Sequence, residues 1–212
     1  MGAFQWIFDK ATTISIDKKP VVASTITRSN IIRSTLYSAP LWRFTVKVPD
    51  GLAWDTHRPY IEQAEGLDRH TTSTIQINNA GYNSWFTTYR GNSVNYTGFA
   101  GSWTQGSTTL TLTTSPTTSS GYKFRTGDLI QIGYDGSSLG SGSVYTVASD
   151  VAYNSNTVTL NTAVKETTAS AQTLIVGPNV TWTVICQDFP SWTIFNYNQV
   201  SWSGPFVFYE VR

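Results

Sequence analysis

Cysteine occurs once in this chain, at Cys186, and histidine twice, at His57 and His70. A lone cysteine cannot close an intramolecular disulfide, so nothing points to an oxidising compartment, and a free buried thiol is the expected state. The histidines are too far apart for a His-x-x-x-His pair, and no Cys-x-x-Cys exists, so no zinc site is expected. Charge is scarce as well. Asp, Glu, Lys and Arg make up 13% of the residues, about half the usual share of a soluble domain. The net charge is +1 and the 14 Lys and Arg are scattered, which argues against an electrostatic footprint for sequence-specific nucleic acid. No stretch approaches the roughly 18 apolar residues of a spanning helix, so no membrane insertion is expected. The opening MGAFQWIFDKATTISIDKK lacks a basic start followed by a long apolar run and reads as carrying no export signal. Trp6 stands where myristoylation needs Ser or Thr. There is no Gly-x-Ser-x-Gly elbow, phosphate loop or dinucleotide fingerprint, so neither a catalytic site nor a cofactor is expected.

What is present is apolar and aromatic. Hydrophobic residues supply 40% of the chain and aromatic ones 14%, while serine and threonine wet the surface. Threonine also suits a pleated, half-buried strand. Over 212 residues, one or two domains are open. WRFTVKV alternates strictly, with Trp42, Phe44, Val46 and Val48 on one face and Arg43, Thr45 and Lys47 on the other, and predicts an antiparallel strand. TTISIDKKPVVAST suggests a strand through Ile14 and Ile16, a turn over Asp17 to Pro20, and a second strand from Val21. DTHRPYIEQAEGLDR is the one convincing helix, with Asp55 as its cap, Pro59 in its first turn, and an apolar stripe of Tyr60, Ile61, Ala64 and Leu67. IQINN reads as a strand. GYNSWFTTYRGNSVNYTGFAG reads as an aromatic-rich connection, with turns at Asn78 to Gly81 and at Arg90 to Gly91.

The composition shifts near Gly101. Of the eight tryptophans only Trp103 lies between Gly101 and Pro178, where TTLTLT, DLIQIG, SVYTVA, NTVTLN and TLIVG follow one another, separated by Gly, Ser, Asn and Pro. Short strands at that spacing predict a small barrel or sandwich. Aromatics return in VTWTVIC, SWTIFNYNQVSW and GPFVFYEVR. The expected fold is therefore mainly β: an antiparallel β-sandwich domain with one helix, residues 1–100 and 179–212, interrupted by an inserted small β-barrel or sandwich, residues 101–178.

The candidates for chemistry are thin. Asp55, His57, Arg58, Glu62, Glu65 and Asp68 form the densest ionisable cluster. Glu62 with Asp55 or Asp68 could be drawn as a glycosidase pair, but carboxylates on one short helix seldom face each other across a substrate, and Arg58 can pair with Glu62. A solvated helix face is the expectation. SLGSGS lacks the lysine and helix of a phosphate loop and reads as a hairpin loop. Exposed aromatics in GYNSWFTTYRG and WSGPFVFYEV, Trp85 and Trp202 above all, could stack on sugars, although core or interface packing is the commoner use of such residues. Residues 136–143 and 28–40 are the candidate partner-contact segments.

The run GDLIQIG, followed by VYTVASDV and TVTLN, resembles a β module of tailed-phage virion structural proteins. WRFTVKVPDGLAW with RPYIEQAEGLDR, and WTVICQDFPSW with WSGPFVFYEV, are similar to the same proteins, nearest the distal tail or baseplate proteins of phages infecting cyanobacteria. The resemblance implies a non-enzymatic ring component of six copies in the virion tail, assembled in the host cytoplasm, whose partners are its own copies and tail tube, hub or wedge proteins. A carbohydrate-binding adhesin is the alternative.

Overall fold

The computed structural model describes residues 2–26, 32–67, 69–77, 84–93, 96–116, 120–132 and 142–211. The expected turn at Asn78 to Gly81, Asp68, residues 28–31 and most of the 136–143 loop lie outside the described residues. In chain order, helix α1 (Gln5–Asp9) precedes strands β1 (Thr13–Ile26), β2 (Ile32–Lys47) and β3 (Leu52–Ala53), then α2 (Trp54–Glu65), β4 (Ser73–Gln76) and α3 (Ser84–Thr87). Next come β5 (Ala100–Trp103), β6 (Thr109–Thr114), β7 (Tyr122–Phe124), β8 (Leu129–Ile132), β9 (Val144–Thr146), β10 (Val151–Ala152), β11 (Thr157–Thr159) and β12 (Ala169–Val176). After a short 3₁₀ turn, Gly177–Asn179, the chain closes with β13 (Thr181–Asp188), β14 (Trp192–Phe195), β15 (Gln199–Trp202) and β16 (Phe206–Glu210). The protein is mainly β, built from several antiparallel sheets with one main helix. It divides into two compact units: Met1–Ser73 with Val184–Val211, and Thr74–Thr183.

In the first unit, β16 lies beside β2, with Phe206, Phe208 and Tyr209 opposite Val46, Phe44 and Arg43. Strand β13 pairs on the other side of β16. The alternation of WRFTVKV has the expected effect: Trp42, Phe44, Val46 and Val48 are buried, and Arg43, Thr45 and Lys47 are not. Phe206 and Phe208 extend that buried face. Phe4 and Phe8 of the α1 segment each lie with ring centroids 5.2 Å from Phe208, and Trp202 of β15 lies 4.9 Å from Phe206. These tilted and edge-on aromatic pairs add to the burial of apolar area. The small sheet, ordered β14-β15-β3, and the buried Ile61 and Ala64 of α2 complete this unit.

In the second unit a six-stranded sheet runs β11-β6-β5-β12-β8-β9. Just beyond the ends of its outer strands β9 and β11, Val147 and Leu160 form an antiparallel bridge, with the Ala148 N–H donating to the Thr159 carbonyl at 2.8 Å and the Asn161 N–H to the Thr146 carbonyl at 2.9 Å, so the sheet closes on itself as a barrel, one of the two forms expected. TTLTLT supplies β6, DLIQIG β8, SVYTVA β9, NTVTLN β11 and TLIVG the end of β12. Ile130, Ile132, Tyr145, Val158, Leu110 and Phe124 fill the interior, each 0% exposed. Tyr89, Tyr96 and Phe99 pack on that same core, so chain preceding residue 101, where composition placed the boundary, belongs physically with the barrel.

Three local expectations are corrected. No turn interrupts β1, which continues through Pro20; instead the partner of the strand jumps from Leu41 opposite Lys19 to Ser38 opposite Val21. A residue without an N–H suits such an irregularity on an edge strand. Helix α1 has no signature in the sequence, because Gln5, Trp6, Ile7 and Phe8 are all buried and a short segment with no exposed face among them has no amphipathic stripe. Within α2, Tyr60 is 51% exposed and Pro59 falls in the second turn.

Phe208→Ala should lower the stability to urea by about 3–5 kcal/mol, because a fully buried aromatic leaves a cavity, whereas Tyr153→Ala, on a residue 45% exposed, should change it by less than about 0.5 kcal/mol.

Candidate interaction surface

Strands β14 and β15 form a hairpin in which Trp192 faces Trp202, Ile194 faces Val200 and Phe195 faces Gln199. The turn between them is Asn196-Tyr197-Asn198, closed by the Asn198 N–H donating to the Asn196 carbonyl at 2.9 Å. Both Asn196 (φ 44°) and Tyr197 (φ 67°) have positive φ. Asparagine tolerates that region, but for a bulky residue it is a true outlier, costing on the order of 1–2 kcal/mol.

The conformation is held from outside the turn. The Asn198 carbonyl accepts from the Trp54 N–H at 2.7 Å, and the Asn198 Oδ1 accepts from the Asp55 N–H at 3.0 Å. These are the first amides of α2, which a helix leaves without internal acceptors. Asp55, expected to cap the helix, lies within the first turn instead. The cap comes from Asn198, far away in the chain. The hydrogen bond from Asn198 and the Thr56 backbone N–H hold the Asp55 carboxyl below the ordinary carboxylate range.

The hairpin exposes what a soluble surface ordinarily hides. Tyr197 is fully solvated, Ile194 is 45% exposed and Phe195 37%. Strand β14 stands at the edge of its sheet, and from Phe189 to Tyr209 no residue is charged. Edge strands are normally guarded by shortness, lysine, proline, inward-pointing charge or a covering element; Trp192-Thr193-Ile194-Phe195 is short, at four residues, but carries no lysine, proline or charge. Beside it, Trp54 stacks on Trp192 at 4.6 Å, with the Arg58 guanidinium 5.9 Å from the Trp54 ring.

The other polar clusters fasten backbone. In the second unit Asp128 is buried and accepts from the N–H groups of Arg125 at 2.8 Å and Arg90 at 3.1 Å. Burial pushes its carboxyl up, against the pull of those donors. Asp150 accepts from the Thr126 N–H at 2.7 Å and from Arg125 at 3.0 Å, and is held low by them. Gly127 sits between at φ +92°, with the Arg90 guanidinium where a Cβ would go. The buried Glu166 accepts from the Ser143 N–H at 2.6 Å and the Tyr145 hydroxyl at 2.5 Å; burial, first of all, raises the Tyr145 phenol. Gln131 donates to the Gly142 and Thr181 carbonyls and accepts from the Thr181 N–H. GDLIQIG thus does its work through turn geometry and a buried amide.

Of the residues singled out in the sequence, Glu62 pairs with Arg58 at 2.8 Å, both exposed, which is a solvated helix face. Glu65 and His70 are exposed, and the His57 Nδ1 lies 2.9 Å from the Ala53 carbonyl. Cys186 is buried and forms no disulfide. Among the described residues no group of His, Cys, Asp and Glu could hold a metal ion. Trp202 packs among Trp6, Phe189 and Phe206, whereas Trp85 is 72% exposed. The aromatic run that forms the hairpin was visible in the sequence, but its exposure was not, because exposure depends on β14 being an edge. No family model matches the chain, and no curated protein matches it.

Tyr197→Gly should raise stability by about 0.5–1 kcal/mol, since glycine adopts positive φ without penalty and the exposed ring loses no packing; Asn198→Ala should lower it by about 1 kcal/mol through the lost helix cap. Both are read by denaturant midpoint. Asp150, with its folded pKa depressed, contributes stability that is present above the ordinary carboxyl range near 4 and is lost as pH falls through the lowered value. Asp150→Asn should therefore flatten the acid limb of a stability-against-pH curve while leaving the alkaline limb unchanged.

Proposed function

We propose that this protein is a non-enzymatic structural component of a phage tail tip or baseplate, forming a ring of six copies that joins the tail tube to hub or wedge proteins. The single observation that carries the reading is the exposed, uncharged aromatic hairpin at a sheet edge. An uncharged aromatic strand at a sheet edge is a hazard for a free monomer, and Trp and Tyr are the residues on which association free energy concentrates. A chain that spends its working life inside an assembly can retain such an edge. The conformational strain at Tyr197 fits the same reading, since strain persists at functional positions where the surroundings over-determine it. The resemblance of WRFTVKVPDGLAW, GDLIQIG and WSGPFVFYEV to tail-tip proteins supplies the kind of assembly, with the tail of the virion as its location.

A second reading, a carbohydrate-binding adhesin, draws on the exposure of Trp85 beside Phe86, whose ring centroid is 6.0 Å away. It rests on Trp85 alone, because Trp202 is committed to packing.

Mass measurement of purified virions should find this chain together with tube or hub proteins, and electron microscopy should place it in a ring coaxial with the tube; absence from the particle would overturn the reading. A glycan array should stay blank for the wild type and for Trp85→Ala alike. Binding that Trp85→Ala abolishes would shift the conclusion to the adhesin.

A further inference from the structure

The hairpin tip is a projecting aromatic knob, and the second unit carries a recess of matching chemistry. A groove of about 430 Å³ is lined by Tyr96, Gly98, Leu174, Ile175 and Val176, with Asn179 at its rim. It lies where β12 changes neighbours: Thr173 still pairs with Ala100 of β5, while Leu174 pairs with Ile132 of β8. The pairing with β5 ends at Thr173, and Gly98, just before β5, contributes no side chain to cover the stretch of β12 that follows. No lining residue is charged. The polar part of the rim is Thr97, Thr173 and Asn179, all exposed, and the Asn179 carboxamide suits a phenol hydroxyl at the end of an apolar body.

We infer that Tyr197 of one copy seats in the β12 groove of the next copy, so that copies join head to tail. The inference rests on the self-assembling reading above and names its contact. Knob and groove are different patches on one chain, which makes the contact heterologous; such a contact propagates into a closed ring when its rotation closes, whereas a two-fold contact would stop at a dimer. The absence of charge on both sides matters, because burying an unpaired charge would oppose the association. The strained turn also matters. Anchored through Asn198 to the start of α2, the tip is pre-organised, and little conformational entropy remains to be lost when it docks.

The test uses the full chain and three proteins: wild type, Tyr197→Gly, and Thr173→Arg, which places a cation at an exposed position of the groove mouth. Sedimentation velocity is run over a concentration series, with folding monitored by denaturant midpoint. Wild type should assemble, and each variant alone should remain monomeric with association weakened at least tenfold. An equimolar mixture of the two should give a heterodimer and nothing larger, because the Thr173→Arg copy keeps its knob and the Tyr197→Gly copy keeps its groove. Since Tyr197→Gly relieves backbone strain, misfolding cannot account for its loss of assembly. Tyr197→Gly assembling as wild type does, or a mixture that stays monomeric, would overturn the inference while leaving the ring reading intact. If Tyr197→Gly forms the ring but loses a tube or hub protein, the tip belongs to that partner and the inference is likewise overturned. A wild type that stays monomeric at every concentration would overturn the ring reading as well.

Discussion

The pairing of β16 with β2 is the interaction on which the first unit depends. Phe206–Tyr209 meet Val46–Arg43 across most of the chain length, and the period-two pattern on both strands turns Phe44, Val46, Phe206 and Phe208 to one side. A slip of one residue in β16 would turn both Phe206 and Phe208 to the opposite face. With the register set, the α1 segment has a floor to lie on, β13 has a partner, and the connection between β13 and β16 is forced to double back as the β14–β15 hairpin. The buried Glu210 belongs to the same arrangement, its Oε2 accepting from the Trp42 N–H at 3.2 Å near the end of the shared ladder.

In the β14–β15 hairpin the fold meets the proposed function. Its turn would gain stability with glycine, yet tyrosine stands there with its ring in solvent. Asn198 shows how the conformation survives: two hydrogen bonds to the first turn of α2 fix the turn, and in return the helix obtains the cap that its own sequence lacks. Stability has been given up at Tyr197 and recovered beside it, a pattern expected where a side chain serves something outside its own fold.

Much of the architecture was legible in the sequence because it rests on local periodicity. WRFTVKV, TTLTLT, NTVTLN and TLIVG alternate or run apolar between turn residues, and each became a strand. The low-tryptophan stretch did become a barrel. What local pattern does not carry depends on contacts remote in sequence. Closure through Val147 and Leu160 involves two single residues with no pattern of their own. In helix α1, Gln5 to Phe8 are all buried. The cap on α2 is supplied from Asn198, so Asp55 and its neighbours carry no sign of it. Pro20 signalled a turn, whereas the edge position of β1 let the strand run through it. The candidate surface was half legible: the aromatic run in SWTIFNYNQVSW was plain, but which of its residues would be exposed followed only from the topology.

The central claim is that the β14 edge and its tip, formed in advance and left uncharged, are covered when copies of the chain meet. Amide hydrogen exchange across β14 and β12, compared between dilute monomer and assembled protein, tests it most directly. The account predicts that the outward amides of Trp192–Phe195 and the amides flanking Thr173 become protected together on assembly, while those of the exposed face of α2 do not change. Unchanged exchange along β14 in a particle known to be assembled would contradict it.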